Sequence, residues 1–95
     1  MKPEEAIVAK IKKHLIKRGF WVIKLTQVGA YQQAGLPDLL AIKAGKAYFF
    51  EVKTETGVVS KLQTHTIEVL RGFGAVAEVV RSVVEVETIL TRHNA

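Results

Sequence analysis

Residues 35–53 read GLPDLLAIKAGKAYFFEVK, and the reading of this stretch decides the fold. Two short apolar runs, LLAIK and KAYFFEV, flank Ala44-Gly45. Runs of this length, bounded by Pro, Gly and charge, are strand signals, and Ala-Gly between them predicts a tight hairpin. With a two-residue loop, Lys43 pairs with Lys46, Leu40 with Phe49 and Asp38 with Glu51. Opposed residues share a sheet face with Cβ atoms roughly 5 Å apart. Lys53, two residues past Glu51, projects from that same face. Two carboxylates and one ammonium therefore gather at one end of an apolar ribbon. A three-residue loop would instead send Asp38 and Glu51 to opposite faces. Facing like charges destabilise a sheet, and a hard divalent cation such as Mg²⁺, which binds carboxylate and carbonyl oxygens, removes the conflict. Both faces of the ribbon are otherwise apolar, which predicts central strands covered on both sides.

Upstream, Pro3 to Arg18 reads as a helix. Pro3 suits its first position, and Glu4 and Glu5 suit its first turn, where the helix dipole favours acids. Ile7, Val8, Ile11 and Leu15 form the apolar stripe, with Lys10, Lys13 and Lys17 opposite. Glu4 shares the phase of Ile7 and Ile11, although a dipole-complementing acid is its plainer reading. Gly19 ends the helix, and FWVIKLT (residues 20–26) reads as a strand. The loop from Gln27 to Pro37 is long for a small domain, and ordered loops of that length are often functional. It carries Tyr31, Gln32 and Gln33, which could reach a sugar-phosphate backbone or be a solvated connection.

Downstream, Thr54 to Val59 is a turn. Ser60-Lys-Leu-Gln63 is a capping box opening a helix to Gly72, with Leu62, Thr66, Val69 and Phe73 as its stripe. AVAEVVR (residues 75–81) is a fourth strand. A second capping box, Ser82 to Glu85, opens a last helix through about Thr91, after which residues 92–95 are expected to fray. The predicted architecture is an α/β sandwich, α-β-β-β-α-β-α, around a mixed four-stranded sheet.

A chain of 95 residues makes one small domain, residues 1–95. No apolar run approaches the ~20 residues of a membrane span, and the acidic start lacks a signal-peptide pattern, so a cytoplasmic protein, in a nucleoid-associated or viral replication context and with no membrane partner, is expected. The absence of Cys excludes disulfides, zinc-thiolate sites and thiol catalysis. The three His, His14, His65 and His93, have no metal-site spacing and read as surface residues. A net charge of +5 points to a polyanionic partner, most economically nucleic acid.

Pro37-Asp38 followed by Glu51-Val52-Lys53 resembles the P-D…E-x-K pattern of the PD-(D/E)XK nuclease superfamily. The wider run, with Gly-x-Pro-Asp at 35–38, Glu-Val-Lys-Thr at 51–54, Gly57, Ser60 and Gln63, is similar to its virus-type replication-repair nuclease (VRR-NUC) branch. The resemblance covers nearly the whole chain. It implies a restriction-endonuclease-like sandwich and a divalent-metal-dependent DNA endonuclease. Asp38, Glu51 and the Val52 carbonyl match the ligands of Mg²⁺ or Mn²⁺. Lys53 matches the lysine that orients the attacking water, Gln63 the branch's helix glutamine, and Glu4 the first-helix acid, with Glu5 as fallback. Each has a bland counterpart: a turn residue at Asp38, a surface ion pair at Glu51 and Lys53, a mere cap partner at Gln63. Nucleic-acid contacts are expected at Lys10, Lys13, Lys17, Lys61, Tyr31, Gln32 and Gln33.

Stand-alone chains of this branch resemble junction resolvases, which implies a homodimer acting on four-way or other branched DNA in replication-repair or recombination. The apolar C-terminal residues Val76, Val79, Val80, Val83, Val84, Val86, Ile89 and Leu90 suggest a face buried against a second copy. Two alternatives stand beside this: a catalytically silent nuclease-fold module that only binds nucleic acid, and a structural protein whose basic surface carries no function. The complete Asp38, Glu51, Lys53 set argues against the silent module, since a pure binder needs no clustered carboxylates near phosphates.

Overall fold

The computed structural model describes residues 2–25 and 34–95. Along the chain lie α1 (Pro3–Lys17), β1 (Trp21–Lys24), β2 (Leu39–Lys43), β3 (Lys46–Val52), α2 (Lys61–Gly72), β4 (Val76–Val80) and α3 (Val83–Arg92), the predicted order. The sheet runs β1-β2-β3-β4, antiparallel except for the parallel β3–β4 pair. The hairpin takes the two-residue register: Lys43 faces Lys46, Leu40 faces Phe49 and Leu39 faces Phe50. Just beyond the ladder, that register brings Asp38 beside Glu51, their carboxylate oxygens within 4.8 Å of each other. The reason lies in the turn. Ala44 (φ 51°) and Gly45 (φ 76°) both take positive φ, the mirror-image turn whose twist matches that of two antiparallel strands.

One sheet face carries the core, with Val22 and Glu78 partly exposed at its edges. Leu39, Ala41, Tyr48, Phe50, Val52, Val76 and Val80 pack beneath Val8, Ile11 and Leu15 of α1 and Val86, Ile89 and Leu90 of α3. Phe20 adds an edge-on contact to Tyr48, with ring centroids 5.4 Å apart. His14 is not a bare surface residue. Its Nε2 lies 2.6 Å from Glu87 Oε1, which also accepts from Arg18 Nε, so the group ties α1 to α3. These hydrogen bonds hold the Glu87 carboxyl below the usual carboxylate range.

Other expectations need correction as well. Coverage of the hairpin's second face is partial: Ile42 is over a third exposed, and so are Trp21, at 60%, and Ile23 of β1 beside it on that face. The α2 stripe is also misplaced. Thr66 and Ile67 are buried, whereas Leu62, Val69 and Phe73 are exposed, Phe73 at 88%. The C-terminal residues do not fray. Ala95 N–H donates to Leu90 O, and Arg18 Nη2 donates to Ala95 O. Finally, the apolar residues near the C-terminus are mostly core: Val76, Val80, Val86, Ile89 and Leu90 are buried and only Val84 is strongly exposed. They therefore offer little apolar surface to a second copy. Among the described residues no helix is long and apolar enough to cross a membrane.

Candidate active site

The register that pairs Lys43 with Lys46 carries Asp38 and Glu51 to one end of the hairpin, on the face that α2 partly covers. Asp38 is fastened across the strands, its Oδ2 accepting the Val52 N–H at 2.7 Å. Its backbone carbonyl accepts from Leu25 N–H, which continues the β1–β2 ladder outward. Glu4 arrives from the first turn of α1. Carboxylate oxygens of Glu4, Asp38 and Glu51 all lie within 4.8 Å of one another. Glu4 is half-buried there and Glu5 is exposed, so of the two acids it is Glu4 that stands beside Asp38 and Glu51. Helical phase explains the choice, because Glu4 precedes the buried Val8, Ile11 and Leu15 by four, seven and eleven residues.

Glu51 is the most deeply placed of the three, only 2% exposed. Its Oε2 accepts from Gln63 Nε2 at 3.0 Å and lies 3.4 Å from Lys53 Nζ. Burial, and then the neighbouring Asp38 charge, push the Glu51 carboxyl up to about 7, with Lys53 pulling the other way. Gln63 does two things at once. Its N–H donates to Ser60 Oγ and its Oε1 accepts from Ser60 N–H, closing the capping box. The remaining amide nitrogen reaches Glu51. The capping box thus fixes a helix start and aims a donor into the site with one side chain.

Gly35 makes that approach possible from the other side. A Cβ there would sit 2.7 Å from Leu62 Cγ and 3.0 Å from Thr66 Oγ1, and its φ is +84°, so only glycine lets the segment before Pro37-Asp38 lie against α2.

The donor set fits a hard cation. It consists of oxygens alone, without the imidazole or thiolate that would select softer metals. Three carboxylates face one ammonium, Lys53, so the cluster leaves negative charge that a divalent ion would neutralise.

The remaining predicted residues lie further out. Lys10, Lys13 and Lys17 are exposed along α1, bordering with His14 and Val83 a shallow cavity of about 290 Å³. At ~1.5 Å of rise per residue, the row leads from roughly 9 Å to 20 Å along the helix from Glu4. Lys61 is exposed at the first position of α2. Tyr31, Gln32 and Gln33 lie outside the described residues. One further side chain stands against the site's connecting segment without any signal in the sequence. Arg81 Nη1 donates to the carbonyls of Thr54, Glu55 and Gly57, partners 24 to 27 residues away along the chain.

Comparison with known proteins identifies the family and the fold. A model of the archaeal Holliday junction resolvase (Hjc) family matches residues 6–87, a span that holds Asp38, Glu51, Lys53 and Gln63 and leaves Glu4 outside. A solved VRR_NUC domain is 30% identical, with a TM-score of 0.80 over 100% of both chains. A VRR_NUC domain protein is 17% identical, with a TM-score of 0.78 over 97% of this chain and 88% of its own. The Hjc of Archaeoglobus fulgidus, described as a Holliday junction resolvase from an archaeal hyperthermophile, is 24% identical, with a TM-score of 0.64 over 82% of this chain and 67% of its own. The last two likenesses speak to the fold, a restriction-endonuclease-like α/β sandwich. No curated protein matches.

Proposed function

Because the chain belongs to the archaeal Holliday junction resolvase family of nucleases, in the VRR-NUC form of the PD-(D/E)XK fold, we propose that it is a divalent-metal-dependent endonuclease. In this reading it nicks branched DNA, four-way junctions above all, as a homodimer. The observation that carries the reading is the convergence of Glu4, Asp38 and Glu51 within 4.8 Å, with Lys53 and Gln63 on the Glu51 carboxylate. A protein that only bound DNA would gain nothing from three carboxylates gathered near phosphates, which they repel.

Glu4, Asp38, Glu51 and the Val52 carbonyl would hold Mg²⁺ or Mn²⁺. When bound, such an ion lowers the pKa of a water molecule and neutralises charge on phosphate oxygens. The protein's own part is orientation and charge. The Val52 N–H holds one Asp38 oxygen, leaving the other free to ligate. Gln63 and Lys53 together fix the Glu51 carboxylate against rotation. Lys53, a compact cation only 14% exposed, supplies positive charge beside the attacked phosphate, where a low-dielectric setting strengthens it. Lys10, Lys13, Lys17 and Lys61 would track the phosphate backbone and make binding salt-dependent.

The support for a dimer comes from α2 rather than from the C-terminus. Leu62, Val69 and Phe73 leave an apolar stripe in water, and such patches mark contact surfaces. Resolving a four-way junction takes two nicks related by a two-fold axis, a symmetry that a two-fold dimer shares.

The test is a panel of labelled duplex, flap, splayed-arm and four-way-junction DNAs, each with Mg²⁺, Mn²⁺ or EDTA. Paired nicks in the junction with either metal, and none in EDTA, are expected. Equal cutting of plain duplex would reduce the activity to non-specific nicking, and binding without cutting in any metal would leave only a silent DNA-binding module.

A further inference from the structure

We propose that Arg81 is a positioning residue: it clamps the segment between Lys53 and Gln63 and so sets the two groups that hold Glu51. The proposal rests on the nuclease reading for its consequence in catalysis, though the clamp itself is independent of it. Residues 53–60 join two elements that carry the site. β3 brings Glu51 and leads into Lys53, and α2 brings Gln63. Between them no regular structure holds the chain, apart from the turn in which Gly57 N–H donates to Thr54 O.

Three carbonyl oxygens of this segment, those of Thr54, Glu55 and Gly57, converge on one guanidinium nitrogen of Arg81. Oxygens so gathered repel one another unless a cation draws them together, and a charged donor makes the stronger class of hydrogen bond. Arg81 is itself anchored. Lys53 N–H donates to Val80 O at the end of the β3–β4 ladder, and Arg81 N–H donates to Glu85 Oε1 at 2.6 Å in the first turn of α3. The clamp therefore ties the segment to the covered side of the fold.

The clamped turn touches the site directly. A Cβ on Gly57 would lie 3.3 Å from Lys53 Cβ and 3.3 Å from Thr54 N, so the turn packs against the stem of the Lys53 side chain. Its other end is the Ser60 cap that aims Gln63. The helix it delivers is lightly held, burying only Thr66 and Ile67. A loosened segment would therefore let both Lys53 and Gln63 drift from Glu51. Misplacements of about 1 Å in such groups cost as much as a hundredfold in rate.

Amide hydrogen exchange in the metal-free protein tests the clamp without reference to activity. In Arg81→Ala the amides of Lys53, Gly57 and Gln63 are expected to exchange at least about tenfold faster, with those of α1 unchanged. Single-turnover cleavage of a four-way junction tests the consequence. The rate should fall about 10- to 100-fold, while the junction Kd stays within about twofold and its salt slope is unchanged. Millimolar guanidinium ion should restore part of the rate to Arg81→Ala and none to Lys53→Ala. If Arg81→Ala does not fold, Arg81→Lys is read the same way, and a smaller increase in exchange at the same amides is expected. Unchanged exchange at those amides overturns the clamp. A loss that lies in Kd, with a shallower salt slope, makes Arg81 a phosphate contact instead, and a rate that guanidinium does not restore overturns the positioning role. If the wild-type protein cuts no DNA, the nuclease reading fails while the exchange result still stands by itself.

Discussion

At the scale of single residues the site is a conflict of charge held in place by packing. Asp38→Asn and Glu51→Gln each remove a carboxylate that is proposed to hold the cation and a charge that repels phosphate. Each should lower the single-turnover cleavage rate by at least about a hundredfold, on the order of 3 kcal/mol in the barrier, while junction binding in EDTA stays equal or tightens. Wild-type turnover by Asp38→Asn would remove the carboxylates from the mechanism. The same conflict predicts a pH dependence of stability without metal. Glu51 titrates near 7 in the folded protein against an ordinary 4.5. Between those values the folded protein keeps a proton that the unfolded chain has released, so stability falls as pH rises through that window. The full effect is on the order of 3 kcal/mol, with little solvent screening because the Glu51 side chain is 3% exposed. Glu87 acts with the opposite sign. Its lowered pKa contributes stability above the ordinary carboxylate range, lost as pH falls through the folded value, and partial exposure keeps that contribution small. Urea melts in EDTA should thus show maximal stability near the acid end of the Glu51 window. Glu51→Gln should flatten the decline above it, and Mg²⁺ should stabilise the wild type more at pH 8 than at pH 5.5, because ligation needs the ionised carboxylate. Parallel curves for wild type and Glu51→Gln would show that Glu51 is not the group responsible.

At the scale of elements, α2 shows how one capping box can serve both folding and the site. Ser60→Ala removes the cap alone, whereas Gln63→Ala removes the cap partner and the donor to Glu51. Both should lower stability by about 1 kcal/mol, measured by urea unfolding. Only Gln63→Ala should slow single-turnover cleavage, and equal rates in the two variants would leave Gln63 a cap and nothing more. The second predicted box, at the start of α3, forms only half. Ser82 Oγ accepts from Glu85 N–H as expected, but the Glu85 carboxylate turns to the N–H of Arg81. The motif survives as a cap, and its acid is recruited to hold the residue that leads out of β4.

For the whole molecule, the placement of apolar surface is the property that bears on assembly. Val69→Asp and Phe73→Asp put charge on the exposed stripe of α2 and its C-cap and replace no buried core residue. The wild type should sediment as a dimer, and the double variant at the 10.5 kDa of one chain. With a cruciform plasmid the variant should accumulate singly nicked circles where the wild type gives linear product. A wild-type mass of one chain, with and without DNA, would end the dimer. A variant that still sediments as a dimer would move the interface off this stripe.

The order of elements, the hairpin register and the meeting of Asp38 with Glu51 were legible in the sequence, because strand pairing through a two-residue turn is a local matter. The Ala44-Gly45 turn fixes the register, and the period of two does the rest. The capping box of Ser60 and Gln63 and the buried phase of Glu4 were legible for the same reason, since each depends on residues within a few turns. What each face meets was not legible. Leu62, Val69 and Phe73 have the spacing of a core stripe, yet α2 turns Thr66 and Ile67 inward, because the crossover from β3 to β4 and the close approach at Gly35 set its roll. Periodicity says that a helix has an apolar side and is silent on whether that side is buried within the chain. Likewise nothing near Arg81 in sequence shows that its guanidinium meets three carbonyls from beyond β3. Side-chain contacts over such separations exist only once the sheet has closed, and only the tertiary structure decides them.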